Sequence, residues 1–222
     1  MTINKESINQ QVYNLLRDQI IKQELGLGEQ INLRKIASDY GISIMPVRDA
    51  LLRLTNQGLV VNKPRVGFFV RTFNVDEVRE IMEVRKLYEL YCLSEYFEQI
   101  NPTELQRLLH QHEINEVDSL PRQVFDRLDT GLHDCIIKAT ANSFLISQYN
   151  QLFDIFYLFR YLNLNRYQQA YHEHKKLIKA IIAKQRQLAI DILTEHITGA
   201  SAVIIENLQK SSAGIVEQGD CF

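Results

Sequence analysis

Asp129 and His133 lie four residues apart, a spacing that puts both side chains on one face of a helix. His174 falls on a row that continues through Leu177, Ile178 and Ile181. His196 falls on a second row, with Leu193, Ile197, Ala200 and Val203. A histidine on an apolar face needs a hydrogen-bonding partner once it is buried. One carboxylate and three imidazoles around a shared space suit a divalent metal ion, since imidazole favours zinc, nickel and iron while carboxylate favours harder ions. Taken one at a time, each of these histidines is more often an ordinary hydrogen-bonded core or surface residue. His172 is two residues from His174 and so points away from that row, and His110 and His112 have no partner in the pattern. All three are read as surface residues.

A second set of residues could recognise a polyanion. Arg48 stands near the start of a helical pattern whose other face is Val47, Leu51 and Leu54. Arg34 opens the preceding helical pattern, and Lys63 and Arg65 sit in a tight turn between two β-like runs. A helix that exposes cations and hydrogen-bonding groups at its N-terminal end can read base edges in a major groove, with flanking cations on phosphates. Residues 1–73 hold ten Lys and Arg against six Asp and Glu, a net of +4, and the remainder nets −6. A basic front on an acidic back fits a nucleic-acid head on a body with another task. A charged helix face is otherwise just a solvated surface.

The elements that must hold these groups follow from periodicity. A first helix is apolar at Ile8, Val12, Leu15, Leu16 and Ile20, and Gly26 and Gly28 end it. Asn32 can cap a second helix that runs to Tyr40, and Gly41 breaks it. Ser43 can cap a third, which Gly58 ends. Strand-like runs at Leu59–Asn62 and Gly67–Arg71 flank Lys63-Pro64-Arg65. Two short helices, a glycine turn and a basic hairpin are the pattern of a winged helix-turn-helix. Beyond residue 75 only helical periods recur, at Val78/Ile81/Val84/Tyr88/Tyr91 and then over 103–114, 121–139, 143–163, 167–184 and 186–209. The expected fold is therefore mostly α: a winged helix-turn-helix over 1–73, an all-helical bundle over 74–211, and a flexible tail over 212–222. No run approaches the roughly 20 apolar residues of a membrane span. The polar N-terminus has no signal-peptide core, and Cys92, Cys135 and Cys221 show no metal-type spacing, so a reducing cytoplasm is expected.

At this point the segment VRDALLRLTNQGLV, with its basic turn and GFFV, resembles the winged-helix head of the GntR family of bacterial regulators. The body resembles the all-helical FCD effector domain of the family's FadR-like branch, and the two likenesses cover about residues 7–209. The resemblance implies a homodimeric repressor on a palindromic double-stranded operator. Arg34 and Arg48 would touch bases, Ser43, Ile44, Met45 and Pro46 would form the leading end of the reading helix, and the wing from Lys63 through Arg65 to Gly67 would enter the minor groove. Members usually carry an arginine where this chain has Ile44. Isoleucine can meet a thymine methyl but cannot bond to guanine, so the expected operator depends less on guanine at that position.

Asp129-Thr130-Gly131-Leu132-His133 looks like the metal-binding D-x-x-x-H of FCD domains, with His174 and His196 at the two later ligand positions. The implied cofactor is a divalent ion, with zinc, nickel and manganese the leading candidates. Arg85, in EVRKLYEL, resembles the arginine that reaches the effector pocket, which with a metal suits a small carboxylate. An Arg85–Glu89 helix pair is an equal alternative. Tyr157 and Arg160, in the aromatic run 153–161, are expected to wall that pocket, although such a run is more often plain core. From another class, an Asp/His₃ metal could activate water in a hydrolase-like enzyme, but no general base and no H-E-x-x-H spacing stands out. A nucleoid-type binder that ignores small molecules is a third reading.

Overall fold

The computed structural model describes residues 7–163 and 166–216, and Cys221 lies outside them. It divides into two compact units, one of Met1–Phe73 with Gln151–Tyr161, the other of Asn74–Asn150 with Leu162–Phe222.

The first unit contains α1 (Ile8–Ile21), β1 (Gln30–Ile31), α2 (Leu33–Asp39), α3 (Ile44–Asn56), β2 (Val60–Lys63) and β3 (Gly67–Val70). Ser7 caps α1, whose buried row is Val12, Tyr13, Leu16, Ile20 and Ile21; Ile8 faces solvent instead. Asn32 caps α2 by accepting from the Lys35 amide at 3.0 Å. Gly41 then takes a left-handed backbone (φ +61°), and the Ile42 amide folds back onto the Ala37 carbonyl at 2.9 Å. That turn lets α3 start afresh at a new angle. Val47, Leu51 and Leu54 are fully buried on the inner face of α3, against α1. The sheet has the order β1-β3-β2, all antiparallel, with Lys63 opposite Gly67 at the hairpin end. The two-residue β1 is too short to leave a periodic signal. Gln151–Tyr161 packs with this unit: Arg17 Nε donates to Asp154 at 2.8 Å, and the Phe73 and Phe159 rings meet edge to face at 5.0 Å.

The second unit is all helical: α4 (Val75–Glu95), α5 (Pro102–Ile114), α6 (Arg122–Lys138), the start of α7 (Ser143–Tyr161), α8 (Tyr167–Ile182) and α9 (Arg186–Val216). Asn74 and Glu77 form a reciprocal capping box that fixes where α4 begins. Asn101 caps α5, with Pro102 in its first turn. The inner row of α4 is Val78, Met82, Arg85, Glu89, Cys92 and Leu93, while Val84 and Tyr91 are exposed. This corrects the apolar row expected for that helix in part: Val78 is buried and Ile81 and Tyr88 half-buried, but the buried face also carries Arg85 and Glu89 while Val84 and Tyr91 point to solvent. In α9, Arg186–Lys210 is long and apolar enough to cross a bilayer by length and composition, contrary to the sequence expectation. Leu193, His196, Ile197, Ala200 and Ile204 of this helix are nevertheless buried within the unit. The helix continues to Val216, into the stretch read as a tail.

Candidate metal centre and nucleic-acid interface

Three helices bring the histidines together. α6 supplies Asp129 and His133 from one face, α8 supplies His174 and α9 supplies His196, and all four are buried. One ring nitrogen from each of His133, His174 and His196 lies within 4.8 Å of the others. His174 Nε2 stands 3.3 Å from His196 Nε2 and 3.7 Å from Asp129 Oδ1. Two nitrogens bound to one ion at about 2.1 Å would themselves stand about 3.0–3.4 Å apart, so this spacing fits a shared ion.

Two carboxylates orient the rings. His133 Nδ1 donates to Glu89 Oε2 at 2.6 Å, and His196 Nδ1 donates to Glu173 Oε2 at 2.7 Å. With Nδ1 committed, each ring keeps Nε2 as its lone-pair nitrogen and points it inward, the arrangement that supports metal-ligating histidines. The residues present therefore fit a divalent cation: three imidazole donors, one carboxylate, and a second layer that sets the tautomers. Burial holds the His196 imidazole down to about 4, even though its bond to Glu173 works the other way, so the ring is neutral and competent to ligate at neutral pH.

The second layer is itself braced. Glu89 is fully buried and also accepts from Arg85 Nε at 2.7 Å and from the Tyr149 hydroxyl at 2.8 Å. Burial alone would push its carboxyl up, but Arg85 and His133 outweigh burial and hold it well below the usual range. Arg85 also places a guanidinium NH2 3.0 Å from His133 Nε2. Glu173 receives the buried Arg166, 2.7 Å from each oxygen. A side chain at Gly199 would bring its Cβ within 2.7 Å of that guanidinium, so the bare helix surface is what admits Arg166.

The structure therefore brings together Asp129, His133, His174, His196 and Arg85 from the sequence reading. It shows the expected Arg85–Glu89 pair as well, and adds Tyr149, Glu173 and Arg166. Glu89 had a signal, its i+4 spacing from Arg85; Glu173 sits beside His174 in sequence but serves His196. His112 corrects the surface reading: it is buried, its Nδ1 bonds to the Leu108 carbonyl at 2.8 Å and its ring lies 4.7 Å from that of Tyr171. Tyr157 and Arg160, expected to wall the same pocket, belong to the stretch that packs in the first unit, where the Arg160 guanidinium lies 4.7 Å from the Tyr157 ring. Tyr149, in the part of α7 that belongs to the second unit, joins the buried network through Glu89.

In the first unit the leading end of α3 is open. Ile44 is 45% exposed and Met45 61%, Arg48 is exposed one turn on from Ile44, and Pro46 is half-buried. Ser43 occupies the cap position, but its hydroxyl makes no capping bond. Arg34, Lys63 and Arg65 are exposed. Among the described residues Arg34, Arg48 and Arg65 make no hydrogen bond or ion pair, whereas Arg17 and Arg53 are engaged with neighbours. Lys63 Nζ rests 4.5 Å over the Phe69 ring. Arg65 is held at φ +64° and Gly67 at φ +133°.

Comparison with known proteins gives a consistent picture. The sequence model described as "Bacterial regulatory proteins, gntR family" matches residues 8–70, and that described as "FCD domain" matches 80–199. The HTH-type transcriptional regulator YdhC of Bacillus subtilis is 24% identical over 192 residues, 84% of this chain and 86% of that protein. The gluconate operon transcriptional repressor of Bacillus licheniformis is 24% identical over 196 residues, 82% of this chain and 78% of that protein. Among solved structures, the Zn2+-bound FCD domain of TM0439 is 34% identical with a TM-score of 0.58, over 62% of this chain and 97% of that one.

Proposed function

The chain belongs to the gntR family of bacterial regulatory proteins and carries an FCD domain, and from this premise we propose that it is a metal-containing, carboxylate-responsive repressor. Its families and relatives are transcriptional regulators and not enzymes, so the hydrolase reading is set aside. The head, residues 1–73, binds an operator, and the body, residues 74–211, senses the ligand. The observation that carries this reading is the convergence of three imidazoles and Asp129 in the helical unit, with Glu89 and Glu173 fixing two of the rings.

A divalent ion held by Asp129, His133, His174 and His196 would keep one or two coordination positions for an organic acid, and would supply a Lewis-acidic centre for its carboxylate. Arg85 stands beside those positions as a bidentate partner for the same carboxylate. The zinc-bound FCD domain of TM0439 supports the choice of ion class. In the head, the unengaged Arg34 and Arg48, the Ser43 hydroxyl and the Arg65–Gly67 wing support operator contacts, with Ile44, Met45 and Pro46 as an apolar leading edge suited to thymine methyls.

Two copies fit a palindromic operator best. An apolar groove of about 900 Å³ between α4 and α9, lined by Leu87, Leu90, Tyr91, Ile197 and Ile205, supports pairing through that face, and Glu83 and Lys86 give it both signs of charge. A cytoplasmic site of action follows from the DNA target.

The test uses chelator-stripped protein. Zinc, nickel and manganese are added in turn while the melting temperature is followed. Operator binding is then titrated with a panel of small carboxylates. A stabilising metal that His174→Ala abolishes, together with release of DNA by one carboxylate, supports the reading. No shift in melting temperature with any of the metals overturns it.

A further inference from the structure

Arg85 and the histidine cluster meet at a single atom. His133 Nδ1 gives its proton to Glu89 Oε2, so Nε2 holds the ring's only lone pair in the plane. That lone pair receives the Arg85 guanidinium at 3.0 Å. It is also the pair that His133 must offer to a cation shared with His174 and His196. One lone pair serves one partner, so His133 cannot hold Arg85 and ligate an ion together.

We propose that Arg85 is the residue that couples the two ligands of this site: it occupies His133 in the cation-free protein, and is displaced toward the effector carboxylate when His133 turns to a divalent ion. The inference rests on the metal-and-carboxylate reading above and assigns Arg85 a role against the metal as well as for the effector.

Arg85 does not have to leave to make this switch. Its Nε stays on Glu89 Oε1 at 2.7 Å, an oxygen that Tyr149 also holds, and the rigid planar fork pivots about that bond to carry its NH2 away from His133. Charge pushes the same way: a divalent cation at His133 repels the guanidinium, and an anionic carboxylate attracts both, so in this buried site cation and carboxylate each favour the other.

Calorimetric titration of full-length, chelator-stripped protein with manganese, and then with lactate as the carboxylate probe, tests the idea. Arg85→Met removes the competing hydrogen bond to His133, so manganese should bind about tenfold more tightly than to the wild type in the absence of lactate, while lactate binding is lost. Arg85→Lys keeps the charge that Glu89 needs but gives up the planar reach to both partners, and it should also bind manganese more tightly. It serves as the folded variant if Arg85→Met melts. Wild-type lactate affinity should rise with manganese. Manganese bound equally or more weakly by both variants, with normal melting curves, overturns the coupling and leaves the metal site standing. A wild type that binds no manganese, zinc or nickel overturns the metal reading and the coupling together.

Discussion

Replacing Glu89 by glutamine should destabilise the protein more than any other conservative change in the helical unit. Glu89 is fully buried and accepts from three donors, Arg85 at 2.7 Å, Tyr149 at 2.8 Å and His133 at 2.6 Å. Glutamine keeps the shape but loses the charge and turns one acceptor oxygen into an NH2. That NH2 must face either the Arg85 or the His133 N–H, donor against donor. Breaking a buried ion pair by removing one partner costs about 3–5 kcal/mol, because the guanidinium left behind is uncompensated. For a chain of this size that is a fall in melting temperature of about 6–20 °C. Circular dichroism melts and urea titrations of chelator-stripped protein measure it. Tyr149→Phe is the control: it removes one hydrogen bond to the same carboxylate and should cost about 1.5–3 kcal/mol. The two changes share a partner, so their effects in the double variant should fall short of additive. A Glu89→Gln loss below about 1 kcal/mol, or smaller than that of Tyr149→Phe, would refute the view of Glu89 as the brace of this site.

Arg48→Ala should abolish specific operator binding in a gel-shift titration, and unchanged affinity would remove Arg48 from the interface. Arg65→Ala should weaken binding to all sequences alike and reduce the salt slope by about 1; an unchanged slope would show that the wing cation meets no phosphate. Ile44→Arg should shift the operators recovered in a binding selection toward guanine at one position per half-site, and recovery of the wild-type set would place Ile44 away from the bases. The metal-free protein should lose stability as pH falls from about 6.5 toward 4. Burial lowers the His196 pKa in the fold to about 4, so in that window the unfolded chain takes up a proton that the native ring refuses. Stability from this group is complete above about 6.5, and its loss below is worth up to about 3 kcal/mol. A urea midpoint that stays flat between pH 7 and pH 5 would contradict it.

Much of this was readable from the chain because the readable parts repeat. Val47, Leu51 and Leu54 mark the inner face of α3, and the rows through His174 and His196 point both rings inward. Glycine and proline mark turns by their backbone needs. The parts that escaped share a physical cause, which is that polar groups were buried against partners distant in sequence. On α4 the apolar row that includes Val84 and Tyr91 suggested an inner face, but Arg85 and Glu89 took their place because His133 and Tyr149 satisfy them. His112 looked unpartnered because its bond goes to a carbonyl one turn back on its own helix. Glu173 is adjacent to His174, yet its carboxylate reaches a ring on another helix. Neither periodicity nor spacing carries that information.

The left-handed backbone of Arg65 sets fitness and durability against each other at the wing. Any residue with a Cβ pays about 1 kcal/mol or more for that conformation, and glycine would not. A selection for thermostability alone should therefore replace Arg65 by glycine early and deliver a hardier protein with a duller grip on DNA. Retention of arginine there would identify a selection in which DNA occupancy, and not folding, was limiting.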